Sequence, residues 1–556
     1  MNGVRQASYN WLTGLSLLYT LGFTFTIEAI LMMIGVKVAW FDLPLGFIVS
    51  QTLLFKYGDK KQWLLSTISS ILIIIGTIFI GMNVADSSYD GNAYHQEMVT
   101  VIGNGEWNPY FDRAVPGGYM LWTIHYAKGI EILAASIMTL TGSLESGKAI
   151  NLILFVSTAL LCWEWIKCLR NWSVINKAIF LVLLLANPVT LIQWLNYEND
   201  FHFYCYLLLT ILFGQQIVEG KNRLTSYVGL SVVILLAIAT KFNAFFFEGL
   251  TVICLLVWML ALKKYVEFKR AFWITSLVAI VSAVILCSHP YITNWVNNSH
   301  PLYPLMGKGG VDIMGFNTPA EYVGHNRFFN FLQSYFVFKM YSPGTRVGGF
   351  GSLFAIIFVF SLLIVIYRSL RIKRLTVSMI LVLLLLASCF VFEQSWWARY
   401  ICQLWLIVPI AYYDGVESND KLGRLSGRLI ACLGCLNSGL CLILSVYSSI
   451  HFTATCNAVY ETLNDNTVYV TNARPQSLRL LEEHNIDVIE VPLDKIPTEE
   501  RYSLYPQSEP YMSYFIIMQI TDAQGREINK LVNENSVVFI WNKGIDVYHR
   551  LRDKNI

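Results

Sequence analysis

Trp63 to Met82 reads WLLSTISSILIIIGTIFIGM, twenty consecutive residues without a charged side chain. At about 1.5 Å of rise per residue, such a run matches the hydrocarbon core of a bilayer. Inside lipid the backbone must satisfy its own hydrogen bonds, so the run is expected to be a helix. Comparable runs recur along the 556 residues, and charged residues make up 14% of the chain. Soluble domains usually carry about 25%. The class this implies is an all-α polytopic membrane protein. A net charge of +3 gives no footing for nucleic-acid binding.

About thirteen transmembrane helices are expected, near 11–34, 38–55, 62–82, 146–167, 174–194, 202–219, 225–240, 244–262, 271–288, 349–367, 375–392, 397–414 and 429–450. The first follows MNGVRQASYN and lacks a small-residue cleavage site, so no cleavable signal peptide is expected. Basic residues crowd the loops of one side, as in KYGDKK (56–61), KKYVEFKR (263–270) and RSLRIKR (368–374). The positive-inside rule puts those loops and the N-terminus in the cytoplasm of a multi-pass cell-membrane protein. Two long segments, about 83–145 and 289–348, then face outward. Residues 118–140 contain His125, Lys128 and Glu131 and are expected as juxtamembrane helices on the outer leaflet. The domain division expected is a membrane domain over 1–451 and an extracytoplasmic α/β domain over 452–556. In the latter TVYV, RPQSLRLLEEH, IDVIEV, YFIIMQI and VVFIWN alternate between strand and helix patterns.

Acidic residues begin where the third expected span ends. The stretch NVADSSYDGNAYHQE places Asp86, Asp90, Tyr94, His95 and Glu97 close to lipid, where charge is costly to maintain without a role. Further polar groups fall at outward helix ends: Glu198, Asp200 and His202 in NYENDFH, Lys241 in TKFN, Arg327 in GHNRFF, and Arg399 and Tyr400 in EQSWWARY. Carboxylates beside cations on one membrane face suit a site that holds an anionic headgroup and orients or deprotonates a hydroxyl. Plainer roles exist for the same residues. Asp86 and Asp90 can cap a helix, Trp396 and Trp397 can anchor at the interface, and Arg399 can snorkel to headgroups. The eleven cysteines lie mostly in apolar segments without metal-ligand spacing, so no metal residues are assigned.

The order of these motifs resembles the GT-C superfamily, membrane glycosyltransferases that use polyprenyl-phosphate-linked sugars and include protein O-mannosyltransferases and aminoarabinose transferases. Asp90, Tyr94 and His95 in YDGNAYH match the family's first outward loop. NPYFDRAVPGGYMLW (108–122) is similar to its Pro-containing stretch, the turn with Glu198 and Asp200 to its second acidic loop, and HPYITNWVNNSHPLYPLMG to a later outward segment. Two features depart from the pattern. The acidic loop follows the third span, which implies an added N-terminal hairpin (about 11–55), and Gly91 follows Asp90, so the Asp-Glu pair of the O-mannosyltransferases is missing.

The resemblance implies an inverting hexosyl- or pentosyltransferase of the cell envelope. It would move a sugar from a polyprenyl-phosphate donor to a glycan, lipid or protein acceptor outside the membrane, as in polysaccharide biosynthesis. Catalytic roles would fall to Asp90 and Asp86. Tyr94, His95, Glu198, Asp200, Lys241, Arg327, Arg399 and Tyr400 would bind acceptor or donor, with Lys241, Arg327 and Arg399 competing for the lipid phosphate. A divalent cation, Mg or Mn, is compatible with two acids. The alternatives are a polysaccharide polymerase or ligase and a lipid-linked-sugar flippase.

Overall fold

The computed structural model describes residues 8–112, 121–221, 223–311, 315–504 and 515–543. The protein is a multi-pass membrane protein, predominantly helical, with a small C-terminal sheet. Part of the 108–122 motif, with Arg113, lies outside the described residues.

The first three helices are α1 (Tyr9–Met33), α2 (Asp42–Leu54) and α3 (Lys60–Met82). Next come α4 (Gln96–Gly103), α5 (Leu121–His125), α6 (Gly129–Thr141) and α7 (Ala149–Ile166). Helices α8 (Val174–Leu185), α9 (Pro188–Gln193), α10 (Asp200–Glu219), α11 (Arg223–Thr240), α12 (Phe242–Ala261) and α13 (Tyr265–Val281) follow. A connecting region holds α14 (Ser288–Asn298) and α15 (Arg327–Tyr335), before α16 (Phe354–Ile372), α17 (Val377–Cys389), α18 (Ile407–Val416) and α19 (Lys421–Leu463).

Among the described residues, eight helical segments are long and apolar enough to cross a bilayer, fewer than the thirteen runs expected. The shortfall has local causes. At 13 residues, α2 and α17 are each about 20 Å long, short of the roughly 30 Å hydrocarbon thickness. The run at 174–194 breaks because Pro188 has no N–H to continue α8, and the Asn187 side chain instead accepts from Val189 N at 3.0 Å to start α9. The run at 397–414 is two 3₁₀ turns (Ala398–Tyr400 and Cys402–Leu406) before α18.

The segment expected on the leaflet surface is more deeply held. Helix α6 buries Gly129 to Met138 beneath α4 and against α1, so it is part of the packed body.

At the C-terminal end, α19 runs 43 residues, about 65 Å, and carries the chain out of the bundle as one uninterrupted helix. It passes straight through position 452. The sheet that follows has the order β2-β1-β4-β3 from β1 (Thr467–Thr471), β2 (Asp487–Glu490), β3 (Arg501–Tyr502) and β4 (Ile517–Gln519). Strands β1 and β2 pair in parallel across the crossover helix α20 (Pro475–Glu483). Helix α21 (Asp522–Glu534) completes the layer, with Ile528 joining Val468, Val470 and Met518 in one small core. VVFIWN, read as a strand pattern, is helical over 536–543. A short apolar run fits either state, and here packing against α19 decides: Trp541 stacks on Tyr447 at 4.3 Å.

Candidate functional site

The acidic turn after α3 is built around Asp86. Its Oδ1 accepts from the Ser88 amide at 2.8 Å and the Ser88 hydroxyl at 2.7 Å, and its Oδ2 accepts from the Tyr197 amide at 3.1 Å. These bonds close the turn and tie it to the loop before α10. Burial lifts the Asp86 carboxyl to about 6, more than the nearby Lys148 lowers it. The chain then enters a single π-helical turn, Gly91–His95, which widens the backbone just after Asp90. Gly91 is required there, because a Cβ would run into Asp86 Oδ2 and Ser88 Oγ.

Three interrupted helices bring the other groups to the same place. The break between α8 and α9, followed by the turn at 194–199, delivers Glu198 and Asp200. Gln193 fixes that turn from both sides, donating to Asp200 Oδ2 at 3.1 Å and accepting from Phe201 N at 2.9 Å. Lys241 occupies the junction between α11 and α12. Arg399 and Tyr400 sit on the 3₁₀ turn after α17, which is latched to the loop before α16: Trp397 Nε1 donates to the Gly344 carbonyl at 2.6 Å, and Ala398 N donates to the Thr345 carbonyl at 3.2 Å.

Arg399 is the hub. Its Nη1 lies 2.7 Å from Asp90 Oδ2 and 3.5 Å from Glu198 Oε1, and its Nε lies 3.8 Å from Asp200 Oδ2. Lys241 Nζ pairs with Asp200 Oδ1 at 2.6 Å and lies 5.3 Å from the Tyr400 ring centroid. The guanidinium packs on aromatic faces, 4.3 Å from the Trp397 centroid and 5.4 Å from that of Tyr400. Beside Asp90 the Tyr94 and His95 rings lie 4.3 Å apart, and His95 Nδ1 is 2.8 Å from Glu131 Oε1 of α6.

The three carboxylates around Arg399 differ in character. Burial alone would raise Asp90, but the Arg399 guanidinium, with His95 and Lys241 behind it, pulls it down to about 2. Glu198 goes the other way, to about 8: burial outweighs Arg399, and Asp90 and Asp200 add repulsion. Near neutral pH Glu198 is therefore a protonated acid beside an ionised Asp90. Solvent access separates them too. The Asp90 side chain is 16% exposed, against 5% for Glu198 and 2% for Asp200. Asp90 is thus the carboxylate that an incoming group can reach.

Most of the residues singled out from sequence converge: Asp90, Tyr94, His95, Glu198, Asp200, Lys241, Arg399 and Tyr400 form one cluster, with Asp86 fully buried behind it. The bonds of Asp86 to Ser88 and Tyr197 hold the loop in place. Arg327 does not join them; it is exposed on α15 and donates to the Phe390 carbonyl at 3.1 Å. Sequence reasoning did not select Glu131, Arg346 or Arg474. Glu131 stood out only as a charge in an apolar helix. Arg346 is exposed, 4.9 Å from the centroid of the same Trp397 that Arg399 packs on. Arg474 comes from the C-terminal domain and reaches the acidic loop. Nothing local in the sequence marks the last two.

The carboxylates point at a guanidinium that already serves as their cation, and among the described residues no three His, Cys, Asp or Glu side chains are grouped as metal ligands.

No protein-family model matches the sequence, and no curated protein does. Among solved structures the protein is similar to the crystal structure of ArnT from Cupriavidus metallidurans bound to undecaprenyl phosphate, with a TM-score of 0.41 and 12% sequence identity over 81% of this chain and 97% of that one. At that level of similarity the functional reading rests on the cluster itself.

Proposed function

We propose that the protein is an inverting membrane glycosyltransferase that moves a sugar from a polyprenyl-phosphate carrier to a hydroxyl acceptor on the outer face of the membrane. The observation that carries this is the reachable, ionised Asp90 held by Arg399 at the membrane-helix ends, with a protonated Glu198 alongside. The resemblance of the YDGNAYH loop to the GT-C pattern supports the same reading.

The chemistry follows from charge. Asp90 accepts a hydrogen bond from the acceptor hydroxyl and takes its proton as the oxygen forms a bond to the anomeric carbon. The bond from that carbon to the phosphate oxygen breaks, and its electron pair leaves on the polyprenyl phosphate. Cations nearby stabilise that charge. A carboxylate held near 2 is a weak base, so Arg399 must loosen its grip before Asp90 can take a proton. The donor's own phosphate supplies the competitor. As an anion it draws the guanidinium toward itself, and Asp90, relieved of part of its partner, becomes more basic. Arg346 on the shared indole adds positive charge where Arg399 and Lys241 are already paired with carboxylates. Donor binding thereby prepares the base.

The test is release of polyprenyl phosphate by the purified protein in nanodiscs, supplied with a panel of polyprenyl-phosphate sugars and acceptors chosen from glycan profiles of cells with and without the gene. Asp90→Asn should lower turnover at least a thousandfold while donor binding stays within a fewfold of wild type. Wild-type turnover in that variant would overturn the assignment of Asp90.

A further inference from the structure

The C-terminal domain is joined to the acidic loop by contacts too specific for a passive tether. Arg474 caps α20 and is 3% exposed; its guanidinium Nη1 donates to the Ala93 carbonyl at 3.3 Å and to Glu97 Oε2 at 3.4 Å. Two residues on, Gln476 is buried and its Nε2 donates to the Asn92 carbonyl at 2.9 Å. Both carbonyls belong to the π-helical turn Gly91–His95, between Asp90 on one side and the His95–Glu131 pair on the other. A widened turn is an unfavourable conformation that survives only where its surroundings over-determine it. Here the surroundings come from both ends of the chain: Asn92 Nδ2 donates back to the Asp86 and Ser88 carbonyls at 2.6 and 2.9 Å, while Arg474 and Gln476 hold the outward carbonyls.

Two polar residues further along α20 dock elsewhere. Leu144 N donates to Glu483 Oε1 at 2.9 Å, and Arg479 Nη2 donates to the Gly142 carbonyl at 2.6 Å. These contacts fix the domain against the loop between α6 and α7 without touching the π-turn. Docking and gripping are thus done by different residues of one helix.

We propose that the C-terminal domain is part of the catalytic apparatus, with Arg474 and Gln476 as positioning residues that set the π-turn and, through it, the aim of Asp90. The inference rests on Asp90 acting as proposed above. Glu97 is the buried counter-charge that recruits Arg474 to this spot, and the grip on the two carbonyls keeps Asp90 directed at the reacting hydroxyl. Losing it misplaces a catalytic group by a fraction of an ångström to an ångström, which costs rate more than affinity.

The experiment compares full-length wild type with Arg474→Met, Arg474→Lys, Gln476→Met and, as a docking control, Arg479→Ala, each in nanodiscs. Amide hydrogen exchange over 88–97 and over 142–148 is measured alongside kcat and KM for donor. Arg474→Met and Gln476→Met should each speed exchange in 88–97 while 142–148 stays protected. They should lower kcat about tenfold to a hundredfold with KM within about twofold. Arg474→Lys should recover part of kcat, and Arg479→Ala should leave 88–97 unchanged. Unchanged exchange in 88–97 for both Met variants overturns the inference whether or not any transferase activity is found. Faster exchange with wild-type kcat also overturns it, because the turn would then loosen without consequence. If Arg474→Met fails to fold, Gln476→Met decides. A wild type without activity on any donor counts against the glycosyltransferase reading alone, and the exchange data still decide whether the domain holds the loop.

Discussion

Asp90 and Glu198 share one guanidinium yet shift in opposite directions, Asp90 down to about 2 and Glu198 up to about 8. The difference comes from geometry: Asp90 has the short contact to Arg399, whereas Glu198 is farther from it, more buried and repelled by its acidic neighbours. As pH rises through about 8, Glu198 ionises and places a third negative charge around Arg399. Turnover should therefore fall on the alkaline side, and Glu198→Gln, which keeps the neutral form, should remove that limb; a wild-type profile in the variant would refute the assignment. Stability carries the matching signs. Glu198 binds its proton more tightly folded than unfolded, so its contribution is full below about pH 4 and is lost as pH rises through about 8. Asp90 does the reverse: its stabilisation is present above about pH 4 and disappears as pH falls through about 2.

The elements that matter most are the ones that stop short. Helices α8 and α9 part at Pro188, the residues after α17 form 3₁₀ turns, and Gly91–His95 is a π-turn. Each interruption turns a polar group into the cluster that a continuous helix would carry past it. Among them the π-turn is the most tightly specified, because Gly91 packs directly on Asp86. Gly91→Ala should push the turn off Asp86, a strain of about 1–3 kcal/mol. We expect turnover at least tenfold below wild type with a protein that still folds and inserts, measured by kinetics beside a thermal melt. Wild-type kinetics would show that the close approach is not needed.

At the scale of the whole molecule, a membrane bundle and a small α/β layer are connected by one helix, α19, and share the region around the acidic turn. Lysine- and arginine-rich loops lie at the opposite helix ends from this region, and from the positive-inside rule we propose that they face the cytoplasm. Cys168 is exposed beside one of those loops. In intact cells a membrane-impermeant thiol reagent should miss Cys168 and should label a cysteine introduced at the end of α19, Asn464→Cys. Permeabilisation should expose Cys168. The opposite labelling pattern would invert the topology.

How far the sequence reached can be judged from individual residues. Uncharged runs determine an all-α membrane class, since lipid forces any long apolar segment into internally bonded helix, and the carboxylates and cations at helix ends were visible as costly exceptions. The strands at 467–471 and 487–490 and the helix between them were legible from their periodicity. Which apolar runs cross lipid was not, because the burial of α6 comes from packing against α1 and α4, which its own sequence does not show. Nor could the sequence rank Asp86, Asp90, Glu198 and Asp200. Their roles depend on distance to one guanidinium and on access to solvent, quantities that arise only when segments more than a hundred residues apart are packed together. Arg474 is the extreme case: 381 residues separate it from the carbonyl it holds, so no local pattern could announce it, and only the tertiary structure sets it behind Asp90.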